Sequence, residues 1–209
     1  MECPNNCNER VFRLDETALE VNDLALPSDE MLAARAAGGD CASFEVLLQR
    51  YKSSVYRICL RTSGNREDAE DWAQECFVRA YQQLGHYSGD RPFSPWFYRV
   101  ITNTCINLAK KRESQQRMLH HSALSDELAT TADGPEASTL KTMEIQQAQA
   151  AMEKLSPVLR TALVVWLQEQ ITFKELGQVL GVPLTTAATR VRRALLQLEK
   201  VLSAEESRR

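Results

Sequence analysis

Residues 65–84, NREDAEDWAQECFVRAYQQL, place Ala69, Trp72, Ala73, Cys76, Phe77, Ala80, Tyr81 and Leu84 at intervals of three and four. A helix completes a turn in about 3.6 residues, so this spacing gathers all eight side chains on one face. Asn65 follows a glycine and is suited to cap the first turn. The opposite face carries Asp68, Asp71 and Glu75, stacked into an acidic stripe. A strand would need alternation with a period of two, and runs of that kind are missing from the 209 residues. An all-α protein is therefore expected, built from small helical domains.

Upstream, Ser28 is placed to cap a short helix that reaches Ala37 and stops at Gly38-Gly39. A longer helix is expected from about Ala42 to Arg61, with Phe44, Leu47, Leu48, Tyr51, Val55, Ile58 and Cys59 on one stripe. Downstream, GHYSGDRPFS (85–94) is a loop by its Gly, Pro, Asp and Ser content. Ser94-Pro95 then reads as a cap followed by a proline at the first helical position, opening a helix that runs to about Arg112. Arg99, Asn103, Asn107 and Lys110 share one face of it, with Lys111 and Arg112 at its end.

Residues 118–139 are polar and acidic and include TTADGPEAST, the composition of a flexible linker between two domains. The second domain, 140–209, starts with a helix to about Glu153, followed by one opened by Ser156-Pro157 that reaches Gln168. Thr172 and Glu175 have the spacing of a capping box for a helix that ends at Gly181. The last helix, about Leu184 to Leu202, is expected to bury Leu184, Ala187, Val191, Ala194, Leu195 and Leu198.

The net charge of -3 conceals a segmental pattern. Residues 1–30 hold eight acids against two bases, and residues 118–153 hold six against one. Residues 31–117 hold thirteen bases against nine acids, and residues 154–209 nine against five. Two basic blocks are thus set apart by acidic ones, as in a nucleic-acid binder with non-binding connectors. Chance scatter of solvated charge is the alternative.

GVPLTTAATRVRRAL (181–195) proposes a helix-turn-helix: a short helix, a glycine turn, then a second helix presenting Thr185, Thr186, Ala188 and Thr189 before Arg190, Arg192 and Arg193. The unpaired amides and positive dipole end at such a helix start attract phosphate, short side chains let the helix approach base edges, and the arginines reach backbone or guanine. A basic solvated surface helix would carry the same residues. In the first domain, Asn103 and Asn107 offer the amide geometry that pairs with adenine, while His86, Tyr87, Phe93 and Trp96 could stack on an unpaired base. Trp96 and Phe97 also sit at core spacing, so packing is a second role for Trp96. The acidic stripe would be repelled by DNA, so it faces solvent or a basic protein surface.

Of the six cysteines, Cys41, Cys59, Cys76 and Cys105 fall where helices want a small apolar residue and read as reduced core thiols. Cys3 and Cys7 lie in a polar leader; a metal or redox site there is a competing reading, but the paired CxxC units of zinc sites are absent. No metal or cofactor is expected. No stretch approaches the ~20 apolar residues of a membrane span, and the N-terminus lacks the order of a signal peptide, so a cytoplasmic protein without membrane insertion is expected. No nucleotide loop, nucleophile-base pair or carboxylate cluster in an apolar setting is present, so no enzyme and no small-molecule substrate are expected.

DAEDWAQECFVRAY, FSPWFYRVITNTCINLAKKR, an acidic linker with GPEAS, and LSPVLRTALVVWLQEQITFKELGQVLGVPLTTAATRVRRALLQL follow one another in an order and spacing that resembles an alternative sigma factor of the extracytoplasmic-function group of the sigma-70 family. The resemblance covers about residues 28–202. It implies a region 2-like domain at 28–117, a linker at 118–139 and a region 4-like domain at 140–209, behind an acidic extension at 1–27. It further implies a partner in the bacterial RNA polymerase core, docked through Asp68, Asp71 and Glu75, and an inhibitory anti-sigma factor. Promoter DNA would be met at the -10 element by Tyr87, Phe93, Trp96, Arg99, Asn103 and Asn107, with Lys110, Lys111 and Arg112 on phosphates. The helix bearing Thr185, Thr186, Ala188, Thr189, Arg190, Arg192 and Arg193 would read the -35 element. Ala188 stands where the family usually has lysine, which implies a different -35 sequence or weaker dependence on it. The acidic extension could mimic DNA and cover a basic face. Two other readings compete: a stand-alone helix-turn-helix regulator that needs no polymerase, and a thiol or metal sensor built on Cys3 and Cys7.

Overall fold

The computed structural model describes residues 27–123 and 140–206. Among them the chain forms eight α-helices and one short 3-10 turn and no strand, as the hydrophobic periodicity requires. α1 (Asp29–Ala37) is capped by Ser28, whose side chain accepts the Met31 N–H. α2 (Cys41–Ser63) is capped by Asp40 and ends at Gly64, whose φ of 85° suits a residue without a Cβ. α3 (Arg66–Gln83) starts at Asn65, whose side-chain oxygen accepts the Asp68 N–H at 2.8 Å. The 3-10 turn Leu84–His86 leads into the loop before α4 (Phe93–Ala123).

α4 departs from expectation at both ends. It begins at Phe93, so Pro95 is its third residue, still within the first turn where no N–H is needed. The expected Ser94 cap is replaced by Glu30 of α1, which accepts the Phe93 N–H at 3.1 Å. That bond holds the Glu30 carboxyl below the usual carboxylate range. At the other end α4 continues beyond Arg112, because ESQQRMLHHSA contains no glycine or proline to stop it. Helix therefore occupies the first residues of the segment read as a linker. Residues 124–139 lie outside the described residues, as do residues 1–26 with Cys3 and Cys7.

The second half comprises α5 (Leu140–Glu153), α6 (Pro157–Glu169), α7 (Phe173–Leu180) and α8 (Leu184–Glu206). The capping box forms as its spacing demands: Glu175 N–H reaches the Thr172 hydroxyl, and the Glu175 carboxylate accepts the Thr172 N–H at 2.8 Å. On α8 the buried stripe is Ala187, Val191 and Ala194, joined by half-buried Leu198. Leu184 and Leu195, expected in this stripe, are 50% and 44% exposed. Leu195 falls one residue, about 100°, off the stripe. Leu184 is the first residue of the helix and lines an open cleft.

α2, α3 and α4 pack around Phe44, Val55, Ile58, Ala69, Phe77, Phe97 and Ile101, all buried. α6 lies against both α2 and α4, and α7 against α4, so the two halves share a continuous core. Their seam is strongly polar. The Gln168 amide donates to the Ser54 carbonyl at 2.8 Å, and the Tyr98 hydroxyl donates to Glu169 at 2.6 Å. Arg160 is buried and donates to the carbonyls of Met152, Glu153 and Leu155 around the α5–α6 turn, and to that of Thr62 in α2. Four carbonyl acceptors and Glu113 at 3.7 Å offset the cost of its burial, which lowers the guanidinium pKa.

Of the four cysteines read as reduced core thiols, Cys59, Cys76 and Cys105 are free and buried. Cys41 is half-buried at the start of α2 and disulfide-bonded, which corrects that reading for it.

Candidate polymerase and nucleic-acid interface

The acidic stripe on α3 is less uniform than helical spacing suggests. Asp71 is exposed and makes no ion pair among the described residues. Asp68 is half-buried: the Asn65 side-chain amide donates to it at 2.6 Å and Arg112 of α4 pairs with it at 2.7 Å. Glu75 pairs with Arg79 one turn along at 2.7 Å. Two of the three carboxylates are thus neutralised within the domain, and Asp71 is the one presented without a counter-charge.

Arg112 was expected on DNA phosphates. Its guanidinium is instead held by Asp68 and by the Ser63 carbonyl at 2.6 Å, closing α4 onto the α2–α3 junction. A residue with both contacts satisfied internally has little left to give a phosphate. Lys110 and Lys111 remain exposed.

Asn103 and Asn107 are exposed one turn apart on α4, as their spacing requires. Together with Glu75, Arg79 and Gln83 of α3 they line a groove of ≈ 210 Å³. The amide face and the acidic face therefore meet along one furrow.

The aromatic loop divides into core and surface. Phe93 is fully buried, with its ring 6.0 Å from Tyr51 and 5.5 Å from Phe97, which corrects its reading as a stacking surface. Tyr87 and Trp96 are half-buried, 5.4 Å apart, and both rest on Phe93. The Tyr87 hydroxyl donates to the Arg91 carbonyl, which closes the loop over this pair. Trp96 thus packs against the core with one part and reaches the surface with the rest.

The helix-turn-helix is assembled by α7, Gly181-Val182-Pro183 and α8. Gly181 has φ 64°, and a Cβ there would stand 2.8 Å from the Arg99 guanidinium of α4. The left-handed φ calls for glycine, whereas the guanidinium is the movable end of an exposed side chain. The Pro183 carbonyl accepts the N–H groups of Thr186 and Ala187 and starts α8. Thr185, Thr189, Arg192 and Arg193 are exposed, and Thr186, Ala188 and Arg190 half-buried. Thr189 bonds back to the Thr185 carbonyl at 2.7 Å. No ion pair holds the three arginines among the described residues.

What the linear pattern did not show is that the aromatic loop and the start of α4 face α7 and the turn before α8. His86, Tyr87, Arg91, Trp96 and Arg99 on one side, and Lys174, Gln178, Val182 and Leu184 on the other, line one cleft of ≈ 990 Å³. Residues so far apart in sequence carry no periodicity that could announce the pairing.

Family models match a stretch in each half of the chain. The sigma-70 region 2 model matches residues 47–115 and the sigma-70 region 4 model matches residues 145–198. The ECF RNA polymerase sigma factor SigW of Bacillus subtilis is 32% identical over 170 residues, which span 78% of this chain and 91% of that protein. The chain belongs to the extracytoplasmic-function group of the sigma-70 family. Two solved structures share the fold of this sigma factor. CnrH, in complex with the cytosolic domain of CnrY, aligns with a TM-score of 0.61 at 23% identity, over 85% of this chain and 99% of that one. RpoE of Bartonella quintana, in complex with the anti-sigma factor NepR, aligns with a TM-score of 0.55 at 17% identity, over 77% and 96%. No helix among the described residues of the sigma factor is long and apolar enough to cross a membrane.

Proposed function

We propose that this alternative sigma factor joins the RNA polymerase core through α3, with Asp71 as the principal contact, and directs it to promoters by two DNA-reading elements. Asp68 and Glu75 extend the contact from within their internal ion pairs. Tyr87 and Trp96 hold an unpaired base at the -10 element, Asn103 and Asn107 read it from α4, and Lys110 and Lys111 grip phosphate. Arg99 joins this set once the second half swings away from it. The exposed end of α8, with Thr185, Thr186, Ala188, Thr189, Arg190, Arg192 and Arg193, lies against the -35 element. The division into 28–117 and 140–209, with an extension at 1–27 and a linker at 118–139, follows from this assignment.

The observation that carries the reading is the distribution of unpaired chemistry. Exposed amides and a half-exposed aromatic pair are carried by one module, and arginines without ion pairs among the described residues line the reading helix of the other. The stand-alone regulator accounts for the second set and leaves the first without use. The protein performs no reaction of its own and works in the cytoplasm, where the polymerase is. By likeness to RpoE with NepR, an anti-sigma factor is a natural further partner.

The shared cleft adds a requirement. Tyr87 and Trp96 line a cleft closed on its other side by α7 and the turn before α8, so the halves part when a base is held there. Each domain then binds weakly alone and strongly when both are held at a fixed spacing.

Run-off transcription with purified polymerase core on promoter fragments tests the assignment. Asp71→Arg should abolish core binding. Asn103→Ala should keep core binding and lower run-off product ~tenfold or more, the loss of one bidentate base contact. Full activity in both variants would overturn the assigned roles.

A further inference from the structure

Cys59 of α2, Cys76 of α3 and Cys105 of α4 point their sulfurs at one spot in the core of the first half. The Cys59–Cys105 and Cys76–Cys105 sulfurs are each 3.8 Å apart, and all three lie within 4.8 Å of one another. Three helices each spend a position on a thiol here, and none of the sigma factor's proposed contacts uses them.

The chemistry of the spot narrows what could occupy it. A disulfide would need two sulfurs drawn together to about 2.05 Å, pulling a pair of packed helices inward. Sulfurs about 2.3 Å from a common ion stand about 3.8 Å apart, so an ion bridges them with little movement. Structural zinc sites take four protein donors, and no fourth histidine, cysteine or carboxylate reaches this group among the described residues. No basic side chain acts on any of the three thiols either. Three thiolates around a monovalent or divalent ion would bury net negative charge with nothing to offset it. The remaining class is an element that takes three sulfur ligands and is neutralised by them.

We propose that Cys59, Cys76 and Cys105 form a buried three-thiol site for a trivalent metalloid of the arsenite class. Neutral arsenous acid enters, three arsenic–oxygen bonds break and three arsenic–sulfur bonds form. Each thiol proton leaves with a hydroxide as water. No electron is transferred and no net charge is buried. The product ties α2, α3 and α4 together beneath Asn103 and Asn107, which flank Cys105 on the exposed side of α4.

The test uses the reduced full chain, incubated with sodium arsenite, zinc chloride or a copper(I) salt and then desalted. The expected result is one arsenic retained per chain and a melting temperature raised by several degrees, because binding to the folded state alone stabilises it. Cys105→Ala and Cys76→Ala should each lose retention to background. A variant lacking Cys3, Cys7 and Cys41 should retain arsenic in full. X-ray absorption at the arsenic edge on the unaltered chain should count three sulfur neighbours, a readout that needs no variant to fold. No retention, fewer sulfur neighbours, retention surviving in Cys105→Ala, or zinc or copper held in place of arsenic would each overturn the proposal.

Discussion

The two halves of the molecule present charge in opposite ways. In the first, Asp68 is tied to Arg112 and Glu75 to Arg79, so the surface of α3 and α4 is pre-arranged by ion pairs the domain makes with itself. In the second, Arg190, Arg192 and Arg193 project from α8 with no ion pair among the described residues. The difference follows from packing. Asp68 meets Arg112 because α3 and α4 lie side by side, and Glu75 meets Arg79 one turn along α3, whereas α8 buries a narrow stripe and turns the remainder outward. A surface arranged in advance suits a partner of fixed shape. An unpaired one suits a polyanion whose phosphates supply the missing charge.

Arg160 is where the comparison is most easily broken, since it joins the two halves. Arg160→Ala leaves four carbonyls without their donor, those of Thr62 and Leu155 in buried bonds, and should cost ~3 kcal/mol, seen as a lower urea midpoint of the full chain. An unchanged midpoint would mean that the halves are held together elsewhere. A smaller effect, confined to the second half, is expected at its capping box. Thr172→Ala should lose ~1 kcal/mol through the missing cap. The Thr172 hydroxyl holds the Glu175 carboxyl below its ordinary range, so the box contributes above the unfolded carboxylate pKa and fades as pH falls through the depressed value. Melting curves at neutral and acidic pH should therefore differ less in the variant than in the parent chain. The smallest change sharpens the charge contrast. Arg192→Ala should reduce the dependence of log K for DNA on log salt by about 1 while leaving the melting temperature unchanged. A salt slope equal to that of the parent would place Arg192 off the backbone.

Much of the fold was legible because its signals are local. Asn65, Ser28 and Thr172 each cap the helix that follows them through a bond spanning three residues, and such pairs can be read directly from spacing. Asn103, Asn107, Thr185 and Arg192 are exposed where helical periodicity put them. Leu195 was misplaced locally, by one residue, whereas the misreadings that bear on the site are long-range. Ser94 looked like a cap until Glu30, 63 residues away, supplied the bond to Phe93. Phe93 looked available to a base until the Tyr51 and Phe97 rings enclosed it. Arg112 looked like part of a basic tail until Ser63 and Asp68 came within reach.

The residues by themselves determined that this chain is helical, where its helices start, and which faces carry acid, amide or guanidinium, because period and capping act within a turn or two. Tertiary structure alone decided that Asp68 and Arg112 are spent on one another, that the aromatic loop confronts α7 and the turn before α8 across a cleft, and that three thiols from three helices converge. Those outcomes depend on separations of tens of residues, closed only when the helices pack.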